Sequence, residues 1–436
     1  MQHIDSLRTF LETSPTAFHA VENIAKVLEQ AQFQRLIESE PWHIKTGGQY
    51  FVTRNHSSII AVKVGTQLDR YGFTIAASHS DSPTFKIKEQ AEIEVAGNYT
   101  QLNTEGYGGM LCATWFDKPL SVAGRVLVKH DTRYETKLFA VGRDLVLIPS
   151  LAIHMNRTAN DGMAYNKQID MLPLFGGADT KKGMLKKLIA EELGIDPYAI
   201  YGSDLYLYNR MKTAVWGAHN EFFSGPRIDN LECAYASLQG FLAGQQANTI
   251  QVFACFDNEE VGSGTKQGAA STFLADVLSR VNFALQKTSE DLHCALARSF
   301  MLSCDNAHAV HPNHPAKTDA ANCAYMNGGI VIKSHAGQKY TSDGVSIALF
   351  KGICEKAGVP YQYFANRSDV LGGSTLGNIA MSQVSMNAVD IGLPQLAMHS
   401  SYETAGVQDC EYLIKACTVF FNSALAEYDA FNIALQ

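Results

Sequence analysis

The chain has 436 residues, 46% hydrophobic and 18% charged, with a formal net charge of −8. That length exceeds one ordinary core and predicts two domains of a soluble globular enzyme. The acidic balance argues against a general nucleic-acid binder, which needs a basic face, and no apolar run is long enough to span a bilayer.

The first residues, MQHIDSLRTFLETSPTAF, lack a basic start and a long apolar run, so they do not read as a signal peptide. Nine scattered cysteines with no CxxC pair read as reduced thiols in the cytoplasm. Residues 3–12 and 15–30 read as helices, with Ser14 and Pro15 as cap and first-turn pair of the second. Residues 50–64 read as a hairpin around a polar turn. Residues 72–78 (GFTIAAS) read as a buried strand whose polar continuation, His79 to Pro83, falls at its C-terminal end. In open α/β sheets that end is where sites are built.

From about 90 to 215 short β-like runs dominate: EIEVAG, GRVLVKH, KLFAVG and DLVLIPS. One Lys-rich helix (180–192) interrupts them, and the whole reads as an inserted β-rich domain. From 216 apolar strands alternate again with helices. Strands are expected at 249–257, within 323–334 and within 387–398, and helices at 341–357 and 408–430. This alternation predicts an α/β fold with a mostly parallel sheet flanked by helices. The expected division is 1–89 plus 216–436 as a discontinuous catalytic domain, with 90–215 inserted into it.

Five expected strand ends carry metal-ligating side chains next to apolar runs: His79 and Asp81, Asp229, Glu259 and Glu260, Asp305, and His399. A carboxylate beside a buried strand needs a cation or a donor. Imidazole and carboxylate together suit zinc, cobalt or manganese, and two histidines with three carboxylates match a two-metal hydrolase. Each residue taken alone has a plainer reading. Asp81 reads as a loop cap, the paired glutamates as a solvated face, Asp229 and Asp305 as helix N-caps, and His399 as a core histidine. Pro312 and Pro315 break any helix that would align His308, His311 and His314. His311 and His314 therefore read as structural or channel residues, and His308 as a hydrogen-bonding group near the site. No GxSxG elbow is present, which argues against a serine hydrolase.

Taken together and in order, the motifs ASHSDSP (77–83), LAIHMNR (151–157), SGPRIDNLECAYASL (224–238), FDNEEVGSGTKQGA (256–269), SCDNAHAVHPNHP (303–315), YTSDG (340–344), RSDVLGGSTLG (367–377) and PQLAMHSSYETAG (394–406) resemble the M18 metallopeptidases, the aspartyl aminopeptidase group. The resemblance covers essentially the whole chain. It implies a zinc-exopeptidase-like fold with an inserted dimerisation or lid domain, and two divalent metal ions per chain. By that resemblance His79 and Asp305 are terminal ligands of one metal, Glu260 and His399 of the other, and Asp229 bridges both. Glu259 resembles the general base, and Asp81 the carboxylate that orients a ligand imidazole. His154 resembles a residue that enters a neighbouring subunit's site to steady an oxyanion. Lys333 resembles a basic substrate-pocket residue that favours an acidic N-terminal residue. The implied activity is removal of single, acidic residues from the N-termini of short peptides, by dimers assembled into a dodecamer. No nucleic-acid or membrane partner is expected.

Two segments depart from the family pattern: Ser401-Tyr402-Glu403, where an Ile-Arg-Glu-like run is frequent, and Val370 to Thr375, where a small polar residue often precedes Gly-Thr. Both lie near the expected specificity pocket and leave broader or neutral specificity open. The remaining rivals are a related two-metal carboxypeptidase or deacylase and a non-catalytic, metal-stabilised assembly protein.

Overall fold

The computed structural model describes residues 3–245, 247–429 and 432–435. Its largest sheet has nine strands in the order Gln34–Leu36, Gln49–Arg54, Ser58–Val64, Ile250–Phe256, Phe73–His79, Phe300–Cys304, Asn387–Gly392, Ile330–Lys333, Tyr361–Phe364. The central run from Ile250–Phe256 through Asn387–Gly392 is entirely parallel. Every residue of Phe73–His79, Ile250–Phe256 and Phe300–Cys304 is buried, as expected of parallel strands covered on both faces.

Strand periodicity divides these side chains between two cores. Ala76, Phe253, Cys255 and Leu302 pack toward the helices Ala17–Gln30, Ile228–Ala243, Gly344–Ala357 and Asp409–Phe421. Ile75, Ala77, Val252, Ala254 and Met301 pack on the other face, against the helix Phe273–Ala284.

A second sheet of six strands is wholly antiparallel. Its order is Arg133–Ala140, Leu120–His130, Ile200–Asn209, Thr84–Val95, Tyr99–Tyr107, Leu174–Gly177. It has its own core, in which Phe85, Leu102, Trp115 and Val122 pack with Leu185 and Ile189 of the helix Met184–Leu193. A third, five-stranded sheet links Ala214–Trp216, Phe222–Gly225, Glu403–Gly406, Pro394–Leu396 and Ala307–His308. It brings the loop carrying His399 beside the turn that leads into Asp229.

Several local expectations are corrected. Thr16, not Ser14 or Pro15, is the N-cap of the second helix. The run 144–150 forms only isolated bridges, among them Leu120↔Val146 and Leu147↔Leu174, instead of a strand. Within 323–334 only Ile330–Lys333 is strand. The helix expected from 341 starts at Gly344, because Asp343 and Ser346 close a capping box. The last helix stops at Phe421, where Asn422 Nδ2 and Ser423 Oγ turn back to the carbonyls of Thr418 and Val419. Leu425–Asp429 then pairs with Asn432–Leu435, and residue 430 lies outside the described residues.

Candidate active site

Three neighbouring parallel strands end at one edge of the large sheet. His79 closes Phe73–His79, Asp305 follows Phe300–Cys304, and Glu259 and Glu260 follow Ile250–Phe256. Gly392, the end of the next strand, lets Asp305 approach closely, and Asp305 N–H donates to Ile391 O at 2.9 Å. Asp229 enters from the first turn of Ile228–Ala243, and His399 from the loop between Pro394–Leu396 and Glu403–Gly406.

The two oxygens of Asp229 face opposite ways. Oδ1 lies 3.6 Å from His79 Nε2, which is 3.6 Å from Asp305 Oδ1. Oδ2 lies 3.4 Å from His399 Nε2, which is 3.3 Å from Glu260 Oε2. Donors held 2.0–2.1 Å from a tetrahedral zinc ion stand about 3.3–3.4 Å apart, so both triads have the spacing of a metal's ligand edges. Asp229 Oδ1 and Glu260 Oε1 are buried without a hydrogen-bond partner, and a cation would satisfy both. Glu259 offers a carboxylate oxygen within 4.8 Å of His79 and Glu260 ligand atoms. The His79 side chain is 1% exposed and that of His399 30%, so the second triad faces the open side.

The protonation balance shows the same shortage of positive charge. Burial pushes Glu259 up to about 8, opposed by His79 and reinforced by Asp305, Asp81 and Asp229. Burial and then Asp229 hold Glu260 well above its usual range. Burial works against a charged His399, yet Asp229 and Glu260 raise it to about 10. Metal binding needs neutral imidazoles and ionised carboxylates, so a cation at these triads would relieve this imbalance.

Asp81, 4% exposed, spends its carboxylate on the loop that carries Glu259 and Glu260. Oδ1 accepts from Glu259 N–H at 3.1 Å, and Oδ2 from Glu260 N–H at 3.1 Å and Tyr107 O–H at 2.7 Å. His79 Nδ1 is closer to the main-chain oxygen of Asp81, at 3.0 Å, than to its carboxylate, at 3.4 Å. On the other side, His399 Nδ1 meets Gly109 O at 3.0 Å and Leu111 N–H donates to His399 O at 2.9 Å. No motif in the sequence marks Tyr107, Gly109 or Leu111. Gly108 between them has φ +78°, and a Cβ there would lie 3.1 Å from that of Glu260, so the Gly108-Gly109 pair was the one available signal.

The model of the aminopeptidase I zinc metalloprotease (M18) family matches residues 10–421. The chain belongs to the M18 family. It is a metallo-aminopeptidase, a hydrolase. It is 46% identical over 424 residues to a probable M18 family aminopeptidase 2 of Clostridium novyi, covering 96% of this chain and 98% of that protein. Among solved structures, one in the Ape4 and Nbr1 complex superposes with a TM-score of 0.92 at 37% identity, covering 95% of this chain and 84% of that one. The mApe1 dodecamer of S. cerevisiae superposes with a TM-score of 0.83 at 26% identity, covering 96% and 95%.

In this M18 chain two of the candidate residues stand apart from the triads. His154 lies in an exposed stretch with Leu151, Ile153 and Met155. Lys333 is 3% exposed, its Nζ donates to Asn306 O at 2.8 Å, and it lies 5.6 Å from the Tyr340 ring centre. Burial disfavours its charge, but Asp305, Tyr340 and Asp390 keep its pKa raised. His311 and His314 are exposed, their rings 5.1 Å apart, and no three-residue metal cluster among the described residues includes them or His308. The departing segment at 370–374 is a surface loop with Leu371 fully exposed, while Tyr402 O–H donates to Lys212 O at 2.6 Å.

Proposed function

We propose that this chain is a two-metal aminopeptidase that removes the N-terminal residue, Asp or Glu by preference, from short peptides. The observation that carries the reading is Asp229, whose two oxygens each face a separate triad at 3.4–3.6 Å. In this reading His79 and Asp305 are terminal ligands of one ion, Glu260 and His399 of the other, and Asp229 bridges them. The donors suit zinc, with cobalt or manganese as alternatives, and the family description supports zinc.

Bound there, the ions would lower the pKa of a water between them and polarise the scissile carbonyl. Glu259 takes the proton of the attacking water and returns it to the leaving amine. Burial and the carboxylates of Asp305, Asp81 and Asp229 raise its pKa, and bound cations would draw it back toward the ionised form that a base needs. Asp81 fixes the Glu259 and Glu260 amides, so adjacent side chains serve different roles. His154 enters from a neighbouring subunit and steadies the oxyanion. Lys333 receives the acidic side chain of the substrate.

We read 1–89 plus 216–436 as the catalytic domain and 90–215 as an insertion that makes dimers. Exposed Leu151, Ile153, Met155 and Ile169 in that insertion support an interface. The dodecameric relative supports assembly of the dimers into a dodecamer. A cytoplasmic location fits the free cysteines, and no helix among the described residues is long and apolar enough to cross a membrane.

A second reading, broad or neutral specificity, is favoured by the burial of Lys333 and its bond to Asn306. A panel of aminoacyl and N-blocked chromogenic substrates with several divalent metals separates the two. The acidic reading expects Asp and Glu substrates to lead. It fails if Leu or Ala substrates exceed them in kcat/KM by more than about tenfold, roughly the discrimination one pocket contact provides.

A further inference from the structure

Glu403 begins the strand Glu403–Gly406 and is 2% exposed. Its Oε2 accepts the backbone N–H of Asp229 at 3.0 Å, 174 residues away in the chain. Its Oε1 accepts the backbone N–H of His399 at 2.8 Å, with Gln395 Nε2 a more distant third donor at 3.4 Å. The opposite sides of the same two residues are held by others. Ser82 Oγ donates to Asp229 O at 2.7 Å, and Leu111 N–H donates to His399 O at 2.9 Å. His399 sits at φ +66°, a left-handed conformation that a non-glycine residue keeps only when its surroundings impose it.

We propose that Glu403 is a positioning residue that couples the two metal positions: one buried carboxylate fixes the main chain of both Asp229 and His399. The proposal rests on the two-metal reading. Two donors converge from segments far apart in sequence, and a carboxylate is the side chain that offers an acceptor oxygen to each. Asp229 reaches both triads and His399 belongs to the second, so a shift of either main chain moves ligand atoms of the second position. Glutamine has nearly the same shape but one acceptor oxygen. Its amide nitrogen would face a backbone N–H, donor against donor, and one of the two residues would lose its anchor.

The test compares metal affinity in wild type, Glu403→Gln and Asp409→Asn. Asp409 is the matched control. It is equally buried and accepts two backbone N–H groups, from Asn327 at 2.6 Å and Gly329 at 3.0 Å, without touching a triad residue. Apo-proteins are titrated in metal buffers, and the cobalt-loaded forms are followed by visible absorption. Glu403→Gln is expected to bind at least one ion about 10–100-fold more weakly, as for other groups that orient metal ligands. Its cobalt spectrum should change, and excess metal should restore much of kcat. Asp409→Asn should lower Tm and leave both affinities alone. Equal affinities in Glu403→Gln and wild type, or a loss no greater than in Asp409→Asn, overturn the proposal. If Glu403→Gln does not fold, Glu403→Asp, which keeps both acceptor oxygens but is one methylene too short to reach the two donors, is judged by the same outcomes. Failure of both to fold, with Asp409→Asn folded, assigns Glu403 to folding and also overturns it. A wild type that binds fewer than two ions refutes the two-metal reading itself, which is a separate result.

Discussion

Tyr107 ties the six-stranded sheet to the loop that carries Glu259 and Glu260, and removing its hydroxyl should have a graded effect. The hydroxyl donates to Asp81 Oδ2 at 2.7 Å and accepts from Asn258 Nδ2 at 2.8 Å. Tyr107→Phe keeps the ring and its edge-on contact with Tyr206 at 5.7 Å and deletes only the oxygen. The bond to a buried carboxylate contributes about 1.5–3 kcal/mol, and an orphaned amide costs a further 1–3. These overlap, so the expected destabilisation is about 3 kcal/mol. Asp81 keeps its bonds to the Glu259 and Glu260 amides, so kcat should fall less than about tenfold, well short of general-base removal. Urea unfolding of the metal-free protein at constant m-value measures the first quantity, and steady-state kinetics of the metal-loaded protein the second. A loss below about 0.5 kcal/mol, within the scatter of ordinary surface changes, would refute the hydrogen-bond argument.

Glu259→Gln should lower kcat about 10²–10⁴-fold with metal still bound, and near-normal turnover by the loaded variant would remove Glu259 from the role of base. His19 is held near pKa 4 by burial, then by Arg227 and Lys26, against an ordinary 6.5. The unfolded chain therefore takes up this proton first, and the stability His19 contributes is complete above pH 6.5. It should be lost as pH falls from 6.5 to 4, by about 3 kcal/mol; a His19→Gln chain with the same pH dependence in that window would contradict this. Mixing inactive His154→Ala with inactive Glu259→Gln chains under subunit exchange should restore activity, because a mixed dimer holds one site with both groups intact. Confirmed exchange without activity would place His154 outside the neighbour's site.

Much of the large sheet is legible in the sequence because its central strands are unbroken apolar runs ending in polar residues. His79, Asp305, Glu259 and Glu260 stand at those ends, where residue type and position carry the same message. The rest depends on contacts that no local pattern encodes. Gly109 meets His399 across 290 residues, and a backbone carbonyl leaves no mark in side-chain identity. Glu403 stands in a motif whose sequence points to a specificity pocket, and only the third sheet turns it inward. The run 144–150 has strand composition but finds no continuous partner, and the final helix ends on side-chain caps at Asn422 and Ser423 that resemble ordinary polar helix residues.

The central claim is that Asp229 joins two ions in one site that acts on free N-termini. Elemental analysis of zinc-loaded, desalted wild type and Asp229→Ala, alongside release of the first residue from a free and an N-acetylated peptide, tests it directly. The account predicts two ions per wild-type chain, fewer than one in Asp229→Ala, and cleavage of the free peptide alone. Two ions retained in Asp229→Ala, or trimming of the N-acetylated peptide from its C-terminus, would contradict it.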